Sequence, residues 1–436
     1  MKLKWDHYSD QPDIIREKGL KKQIYKQVRW DSFKLLLTNL VFYPVSLLFY
    51  FIVPAKKKQP DTHDFFGMSV NLDKSPEKTR ALVDELQLNN LLIRMPLHDI
   101  ENIEKYVEFA EQFSDKNLLI NILQDRRHVE DLALAYQSFK QIFKRFSHLS
   151  SRFQIANAIN RKKWAIFSMG EYLDFYKVAY DLKKEQFPQL TLLGSSVIDF
   201  EYYFTVRTLF NFQSIAYDEF SSLLYVDRRG YPENSQMGFD LQKKLWFLHS
   251  MLRISPKTTT DIVISETNWP LKNTAPYAPT SETECVSLED QANYLVRYYL
   301  LALVSGVVKN VYWHQLIAPG YGLVDNRTEA LRKYPAYYAF KTMITLLSGF
   351  NFSHIKQKDD VYHLYFKNDK SHIEVLWALS ETTYDAGEKQ VLSRDGQRIQ
   401  FDGVDDKLKL GPSPIYLMLE AQNNEQSNYE TQKASL

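Results

Sequence analysis

The chain has 436 residues, of which 44% are hydrophobic, and its 54 Lys and Arg against 53 Asp and Glu give a net charge of +1. This balance lacks the basic footprint of a nucleic-acid-binding protein, so we predict no nucleic-acid partner. The one cysteine, Cys285, excludes an internal disulfide framework and a four-cysteine zinc site. The histidines show no HExxH or His-x-His spacing, so we predict neither a metal nor another cofactor.

A basic segment, residues 1–34, precedes an uncharged apolar run from Leu35 to Val53. About 19 helical residues at ~1.5 Å each span ~28 Å, close to the thickness of a bilayer core. Seven Lys and Arg between Arg16 and Lys34 outnumber the three lysines at 56–58, and this bias predicts a cytoplasmic N-terminus. We therefore predict a transmembrane or membrane-associated helix over 35–53, with the body of the protein on the periplasmic or external side of a bacterial inner membrane. Pro44 leaves open an interfacial or buried hairpin instead.

From residue 64 the pattern changes to short β-branched or aliphatic runs that alternate with amphipathic helices. The strands are predicted at 65–70, 90–96, 117–123, 152–158, 190–198, within 214–225, at 260–266 and at 308–316. Eight strand–helix alternations favour a closed parallel barrel over an open doubly wound sheet. No glycine-rich dinucleotide fingerprint follows the first strand, which weakens the open-sheet alternative. The fold class is thus predicted as α/β, with a (β/α)8 TIM barrel over residues 64–350.

After the barrel the hydrophobic period shifts to two, which is typical of short antiparallel strands. We predict a small antiparallel β-sandwich over 355–421. The polar remainder, 422–436, is predicted to be disordered.

Polar and aromatic residues follow most of the predicted barrel strands. Because reactive residues of such barrels stand at the C-terminal ends of the strands, these side chains are expected at one rim. Carboxylates, amides and indoles together suit a sugar site, which needs hydrogen bonds to hydroxyls, an aromatic platform and acids. The candidates are Arg94, Asn157, Trp164, Asp199, Glu201, Tyr225, Glu266, Trp269, Trp313 and His314.

Five segments carry a family resemblance: FQIANAINRKKW (153–164), GSSVIDFEYYF (194–204), LLYVDRRGYPENSQMGF (223–239), IVISETNWPL (262–271) and VYWHQLIAPGYGLVD (311–325). The chain resembles clan A of the retaining (β/α)-barrel glycoside hydrolases over roughly residues 64–350. Within the clan it is most similar to the branch with β-xylosidases, α-L-iduronidases and envelope-anchored exopolysaccharide hydrolases.

The resemblance implies roles for individual residues. Glu266 matches the clan's nucleophile at the end of strand seven, and Trp313 matches the aromatic residue that floors the sugar subsite. Tyr225 falls near the clan's strand-six His/Tyr region. Two structural alternatives stay open: Glu266 forms an ion pair with an arginine such as Arg94, and Trp313 packs in the core.

Strand four departs from the clan's pattern. The clan ends this strand with Asn-Glu, whose Glu is the general acid/base, whereas this chain has Asn157-Ala158. The resemblance still implies that Asn157 binds a sugar 2-hydroxyl. Either Glu201 or Asp199 substitutes as the acid, or the leaving group needs little protonation, or the protein binds glycan without cleaving it. A structural pairing of Asp199 and Glu201 with Arg207 or Arg228 is the alternative.

We therefore predict a glycosidase or transglycosylase that acts on a cell-envelope polysaccharide. The rival prediction is an inactive glycan-binding component of a polysaccharide synthesis or export assembly. The partners predicted are an oligo- or polysaccharide, the lipid bilayer and proteins of that assembly.

Overall fold

The computed structural model describes residues 4–6, 8–12, 17–58, 60–227, 230–387, 389–400 and 407–418. The chain divides into two compact units, residues 1–349 and residues 350–436. The tail that the sequence predicts to be disordered, 422–436, lies outside the described residues.

The first unit contains a closed barrel of eight parallel strands, in which the last strand pairs with the first. The strands are β1 Phe66–Val70, β2 Asn90–Pro96, β3 Asn117–Leu123, β4 Arg152–Ile155, β5 Thr191–Ile198, β6 Glu219–Leu223, β7 Ile262–Thr267 and β8 Val308–Trp313. Strand β2 is buried along its whole length, as expected for a parallel strand covered on both faces. The predicted (β/α)8 barrel is confirmed.

Each strand is followed by one or two helices that pack outside the barrel. These helices are α3 Pro76–Glu85, α4 Ile103–Glu111, α5 Arg126–Glu130, α6 Leu132–Phe146, α7 Met169–Gln186, α8 Tyr202–Leu209, α9 Leu241–Ile254, α10 Leu288–Val304 and α11 Pro335–Leu347. Polar residues cap several of them: the side chain of Asp131 accepts from two backbone N–H groups of α6, and Ser287 accepts from one of α10. The caps fix where the strand-to-helix loops end, and these loops carry the polar residues at the C-terminal rim.

Two helices precede the barrel: α1 Lys18–Gln27 and α2 Arg29–Ile52. Helix α2 continues through Pro44, so the proline does not break the segment. Among the residues that the structure describes, α2 is the one helix long and apolar enough to cross a membrane. The N-terminal apolar helix predicted from the sequence is therefore present.

One face of α2 packs along the barrel helices α8 and α9. Phe42 stacks on Phe210 with ring centroids 4.1 Å apart, and Asn39 Nδ2 donates to the backbone oxygen of Tyr203 at 2.8 Å. The opposite face is apolar and exposed, and Leu40 and Leu48 project from it.

Ahead of the helices, Trp5–Asp6 pairs antiparallel with Gln11–Pro12. Residues 5–6 and 8–12 are called the N-terminal hairpin below. Gln11 Nε2 donates to the backbone oxygen of Pro279 at 3.1 Å, and the ring of Trp5 meets the ring of Trp164 edge-on at 5.7 Å. The hairpin therefore lies at the C-terminal mouth of the barrel.

The second unit is antiparallel. Its strands are β9 Asn351–Lys358, β10 Val361–Lys367, β11 His372–Ala378, β12 Thr382–Tyr384, β13 Gln390–Leu392, β14 Leu408–Leu410 and β15 Ile415–Met418. Five of them form a sheet in the order β9-β10-β11-β15-β13, and β12 pairs with β14. Side chains of both sheets, such as Leu376 and Leu410, share one buried cluster. This arrangement agrees with the predicted small β-sandwich.

Candidate functional site

A cavity of about 410 Å³ opens at the C-terminal mouth of the barrel. Its wall combines the N-terminal hairpin with residues that lie near or beyond the C-terminal ends of strands β2 and β4 to β8. Of the residues singled out in the sequence, Arg94, Trp164, Asp199, Glu201, Tyr225, Glu266 and His314 line it. The fold thus brings most of the candidates together from six separate strands.

Glu266 lies near the end of β7, with 7% of its surface exposed. Its Oε2 accepts hydrogen bonds from Arg94 Nη2 at 2.8 Å and from Asn157 Nδ2 at 3.2 Å. Its Oε1 accepts from the hydroxyl of Tyr225 at 2.6 Å. One ion pair and two neutral donors therefore hold this carboxylate at the cavity wall, and the pairing with Arg94 foreseen from the sequence is present.

Burial opposes ionisation of Glu266, but its neighbours more than offset that effect. The charge that His314 carries when it is protonated, the charge of Arg94, and the hydrogen bonds from Tyr225 and Asn157 lower the pKa of Glu266 to about 2. Burial, aided by the charge of Arg94, lowers the pKa of His314 to about 3. His314 is therefore neutral at pH 7, and Arg94 with the two neutral donors keeps Glu266 ionised there.

The conformation of the backbone around Asn157 fixes the direction of its side chain. The neighbouring Ala156 and Ala158 have φ angles of 71° and 45°, in the left-handed region that alanine seldom adopts. The side chain of Gln124 accepts from the backbone N–H of Asn157 at 2.9 Å and donates to its carbonyl oxygen at 2.7 Å. These contacts direct the amide of Asn157 at Glu266, so this turn orients the site.

Ala158, where the resemblance would place an acid, is 1% exposed. It belongs to a buried cluster with Leu123, Trp164, Leu223 and Tyr225. The cluster contains no carboxyl group, so no general acid of the expected kind occupies this position.

Asp199 and Glu201 share one partner, Arg161, which the sequence did not suggest. Arg161 Nη2 lies 2.5 Å from Asp199 Oδ2, and Nη1 lies 2.7 Å from Glu201 Oε2. Of the arginines considered from the sequence, Arg207 lies near Asp31 instead, at 4.0 Å, and Arg228 lies outside the described residues. Both carboxylates line the cavity, but each is engaged in an ion pair.

Trp269 and Trp313 are fully buried. Their rings stack with centroids 5.9 Å apart and an interplanar angle of 22°. They pack behind the residues that line the cavity, so in this structure they support its wall. This placement agrees with the packing alternative for Trp313.

Asp10, in the N-terminal hairpin, is a site residue that the sequence did not reveal. Its Oδ2 accepts from Arg94 Nη1 at 2.8 Å and from Asn71 Nδ2 at 3.0 Å, and also from Gln315 Nε2. Burial raises the pKa of Asp10 although the charge of Arg94 opposes the shift. No signal in the sequence points to this residue, because the hairpin precedes an apolar helix that was expected to cross the membrane.

Over the part of the chain that the structure describes, no group of three or more His, Cys, Asp or Glu side chains is arranged to hold a metal ion. The reactive group of the cavity is thus a buried carboxylate, Glu266, surrounded by hydrogen-bond donors and aromatic rings. The fold and this rim together define a (β/α)8 barrel with a polar cavity and a buried carboxylate at its C-terminal mouth.

Solved structures share this fold. A family 39 glycoside hydrolase from Bacteroides cellulosilyticus WH2 matches with a TM-score of 0.63 and 15% identity over 83% of this chain and 82% of its own. A GH30 endoxylanase from Clostridium papyrosolvens C71 matches with a TM-score of 0.55 and 10% identity over 85% of this chain and 98% of its own. A GH51 arabinofuranosidase from Xanthomonas axonopodis pv. citri matches with a TM-score of 0.51 and 12% identity over 84% and 98%.

No family model matches the sequence, and no curated protein does. At these identities the structural likeness establishes the fold. The resemblance to clan A is therefore confirmed at the level of the barrel.

Proposed function

We propose that the protein acts on glycosides at this cavity, with Glu266 as the nucleophile of a retaining mechanism. The observation that carries the proposal is the Glu266 carboxylate itself, which is ionised and fixed by three donors at the cavity wall. Such a carboxylate can attack an anomeric carbon to form a glycosyl-enzyme intermediate. Asn157 and Tyr225 orient it, and Arg94 balances its charge.

The site lacks a general acid at the position where the clan has one, so another carboxyl group has to donate the proton. Glu201 is the better substitute, because it is less exposed than Asp199 and also accepts a hydrogen bond from Asn160 at 2.7 Å. Its ion pair with Arg161 must open before it can donate a proton. We therefore expect slow turnover of ordinary glycosides, since a general acid contributes about 10²–10⁴-fold.

Dinitrophenyl glycosides test the nucleophile without needing the acid, because their leaving group departs without protonation. Across a panel of pentosides and hexosides, we expect at least one to add the mass of one glycosyl group to the wild-type chain at Glu266. Glu266→Gln should give no adduct, and azide should release the adduct from the wild type as a glycosyl azide. Labelling of both proteins to the same extent would rule out Glu266 as the nucleophile.

A second function, glycan binding without turnover, is favoured by two observations. The position of the expected acid holds Ala158, which lies in a cluster without a carboxyl group, and Arg161 engages both substitute carboxylates. Absence of any adduct across the panel, together with glycan binding that weakens in Trp164→Ala, would favour this function. The protein would then recognise the polysaccharide within a synthesis or export assembly.

We infer that the glycan belongs to the cell envelope, because the exposed face of α2 is suited to a lipid membrane. The lysines at 56–58 follow the helix, where they can meet anionic headgroups. The packing of α2 along α8 and α9 favours a helix that lies in the membrane surface. This arrangement also allows the N-terminal hairpin and the barrel to remain on the same side of the membrane.

A further inference from the structure

The N-terminal hairpin fills part of the cavity that we assign to the glycan. Asp10 bonds to Arg94, which also holds Glu266. Trp5 meets the ring of Trp164, the indole at the cavity wall. The chain's own residues therefore contact the groups that a sugar ring would have to reach.

Three donors converge on a single oxygen of Asp10. They are the guanidinium of Arg94 and the side-chain amides of Asn71 and Gln315, all buried. One cationic donor and two neutral donors around a buried oxygen form the kind of pocket that binds a carboxylate. The pocket lies next to Glu266, because one guanidinium bridges the two carboxylates.

The rest of the hairpin is held mainly at the mouth. Gln11 donates to the backbone oxygen of Pro279 and accepts from Lys163, and Tyr8 meets the ring of Tyr277 edge-on at 5.4 Å. Gln11, Lys163 and Pro279 line the cavity, so these contacts hold the hairpin at its wall. Ser9, Asp10 and Gln11 all line the cavity, and the side chain of Asp10, 7% exposed, is the one of these three that bonds to Arg94.

We propose that Arg94, Asn71 and Gln315 form a carboxylate-binding subsite that Asp10 occupies in the resting protein, so that the N-terminal hairpin competes with a ligand that bears a carboxylate. The inference rests on the proposed function in taking that ligand to be a glycan. An incoming carboxylate replaces that of Asp10 and inherits its three hydrogen bonds. The hairpin then leaves the mouth and opens the approach to Glu266.

The energetics of Asp10 suit a replaceable occupant. Burial raises its pKa, which means that the ionised side chain loses more in leaving water than Arg94 returns. A ligand with the same carboxylate would meet the same donors, and its additional hydroxyl contacts would have to offset the entropy that it loses on binding. The hairpin is therefore expected to be displaced by an acidic ligand and retained in the presence of a neutral one.

The experiment compares the full-length wild type with Asp10→Ala, and uses Glu77→Ala as the matched control. Glu77 is an exposed carboxylate in the first turn of α3, away from the cavity, so its removal changes the net charge equally. Backbone hydrogen exchange reports whether the hairpin is seated. We expect Asp10→Ala to increase hairpin exchange at least about tenfold, and Glu77→Ala to leave it unchanged.

Binding is measured with sodium glucuronate and glucose, which differ in one carboxylate. Asp10→Ala should bind glucuronate at least about tenfold more tightly than the wild type does, and more tightly than it binds glucose. Asp10→Asn, which retains the shape of the side chain, should give an intermediate affinity and guards against a folding defect. Equal hairpin exchange in wild type and Asp10→Ala, or equal affinity of Asp10→Ala for the two sugars, would overturn the proposal.

Neither measurement depends on turnover. If no label is found at Glu266 but Asp10→Ala binds glucuronate more tightly, Glu266 is rejected as the nucleophile and the carboxylate-binding subsite is retained. The opposite pair of results would keep the nucleophile and reject the subsite.

Discussion

Glu266 and Asp10 both form ion pairs with the guanidinium of Arg94, yet their surroundings shift their pKa values in opposite directions. Glu266 also accepts from Tyr225 and Asn157, and its pKa falls to about 2. For Asp10 the loss of solvation dominates, and its pKa rises. Divergent pKa values of paired carboxylates are typical of functional sites, because they assign different protonation states to chemically similar groups.

The lowered pKa of Glu266 makes a prediction about stability. A carboxylate whose pKa is lower in the folded state stabilises that state above its unfolded pKa, and this stabilisation is lost as the pH falls through the folded pKa. Glu266→Gln should therefore be less stable than the wild type at pH 7, by up to about 3 kcal/mol. The difference should shrink between pH 4.5 and about 2. Urea unfolding at several pH values measures it, and a difference that does not change with pH would contradict the assignment.

Replacing Ala158 by Glu should restore a general acid to the site. A Glu side chain placed there would enter the apolar cluster beside Trp164 and Tyr225, and those surroundings raise the pKa of a carboxyl, as a general acid requires. We expect Ala158→Glu to hydrolyse unactivated glycosides faster than the wild type, at a cost in stability of about 2–4 kcal/mol. Ala158→Gln is the matched control, because it has the same size and no proton to donate. Equal rates for the two variants would mean that more than the donor is missing.

Strand β4 ends earlier than the hydrophobic pattern of the sequence predicts. The aliphatic run predicts a strand over 152–158, but the strand is Arg152–Ile155. Ala156 and Ala158 take left-handed φ angles, which alanine does not signal as glycine would. The two hydrogen bonds between the Gln124 side chain, which follows another strand, and the backbone of Asn157 stabilise that turn. Such a contact between distant residues has no local signature in the sequence.

Helix α2 has no charged residue after Lys34, and its composition does not tell which of its faces packs against the barrel. The barrel decides this, since Phe42 and Asn39 face α8 whereas Leu40 and Leu48 remain exposed. Exposed apolar faces of this length mark interaction surfaces in soluble proteins, and the surface that we propose for this one is a membrane. The charges flanking the helix suit a membrane that contains anionic lipid.

This arrangement predicts how the protein binds vesicles of phosphatidylethanolamine and phosphatidylglycerol. The double variant Leu40→Asp/Leu48→Asp should bind at least about tenfold more weakly than the wild type, because it removes apolar burial and adds charge. Leu132→Asp changes an exposed leucine of the barrel helix α6 and serves as the control. Sedimentation with the vesicles measures the bound fraction, and equal loss in both proteins would argue against α2 as the contact surface.

At the scale of the whole molecule, the two compact units each have a buried core. Leu193 belongs to a cluster inside the barrel, and Leu376 belongs to the cluster shared by the C-terminal sheets. Separate cores permit the units to unfold separately.

We therefore expect core truncations to act on one unit at a time. Leu376→Ala should destabilise the C-terminal unit by about 2–5 kcal/mol and leave the barrel transition in place, and Leu193→Ala should do the reverse. Differential scanning calorimetry would resolve the two transitions. If both transitions move together in either variant, the units unfold as one.

The sequence by itself determined the eight-stranded barrel, the apolar helix, the C-terminal strands and most of the rim residues around Glu266. These features follow from local periodicity and from the rule that strand ends share one rim, so a single chain is enough to predict them. Tertiary structure alone decided that Arg161 engages Asp199 and Glu201, that Trp269 and Trp313 lie behind the wall, and that Asp10 enters the site. Each of these depends on which distant side chains meet in space and how deeply they are buried, and neither quantity is encoded in the spacing of residues along the chain.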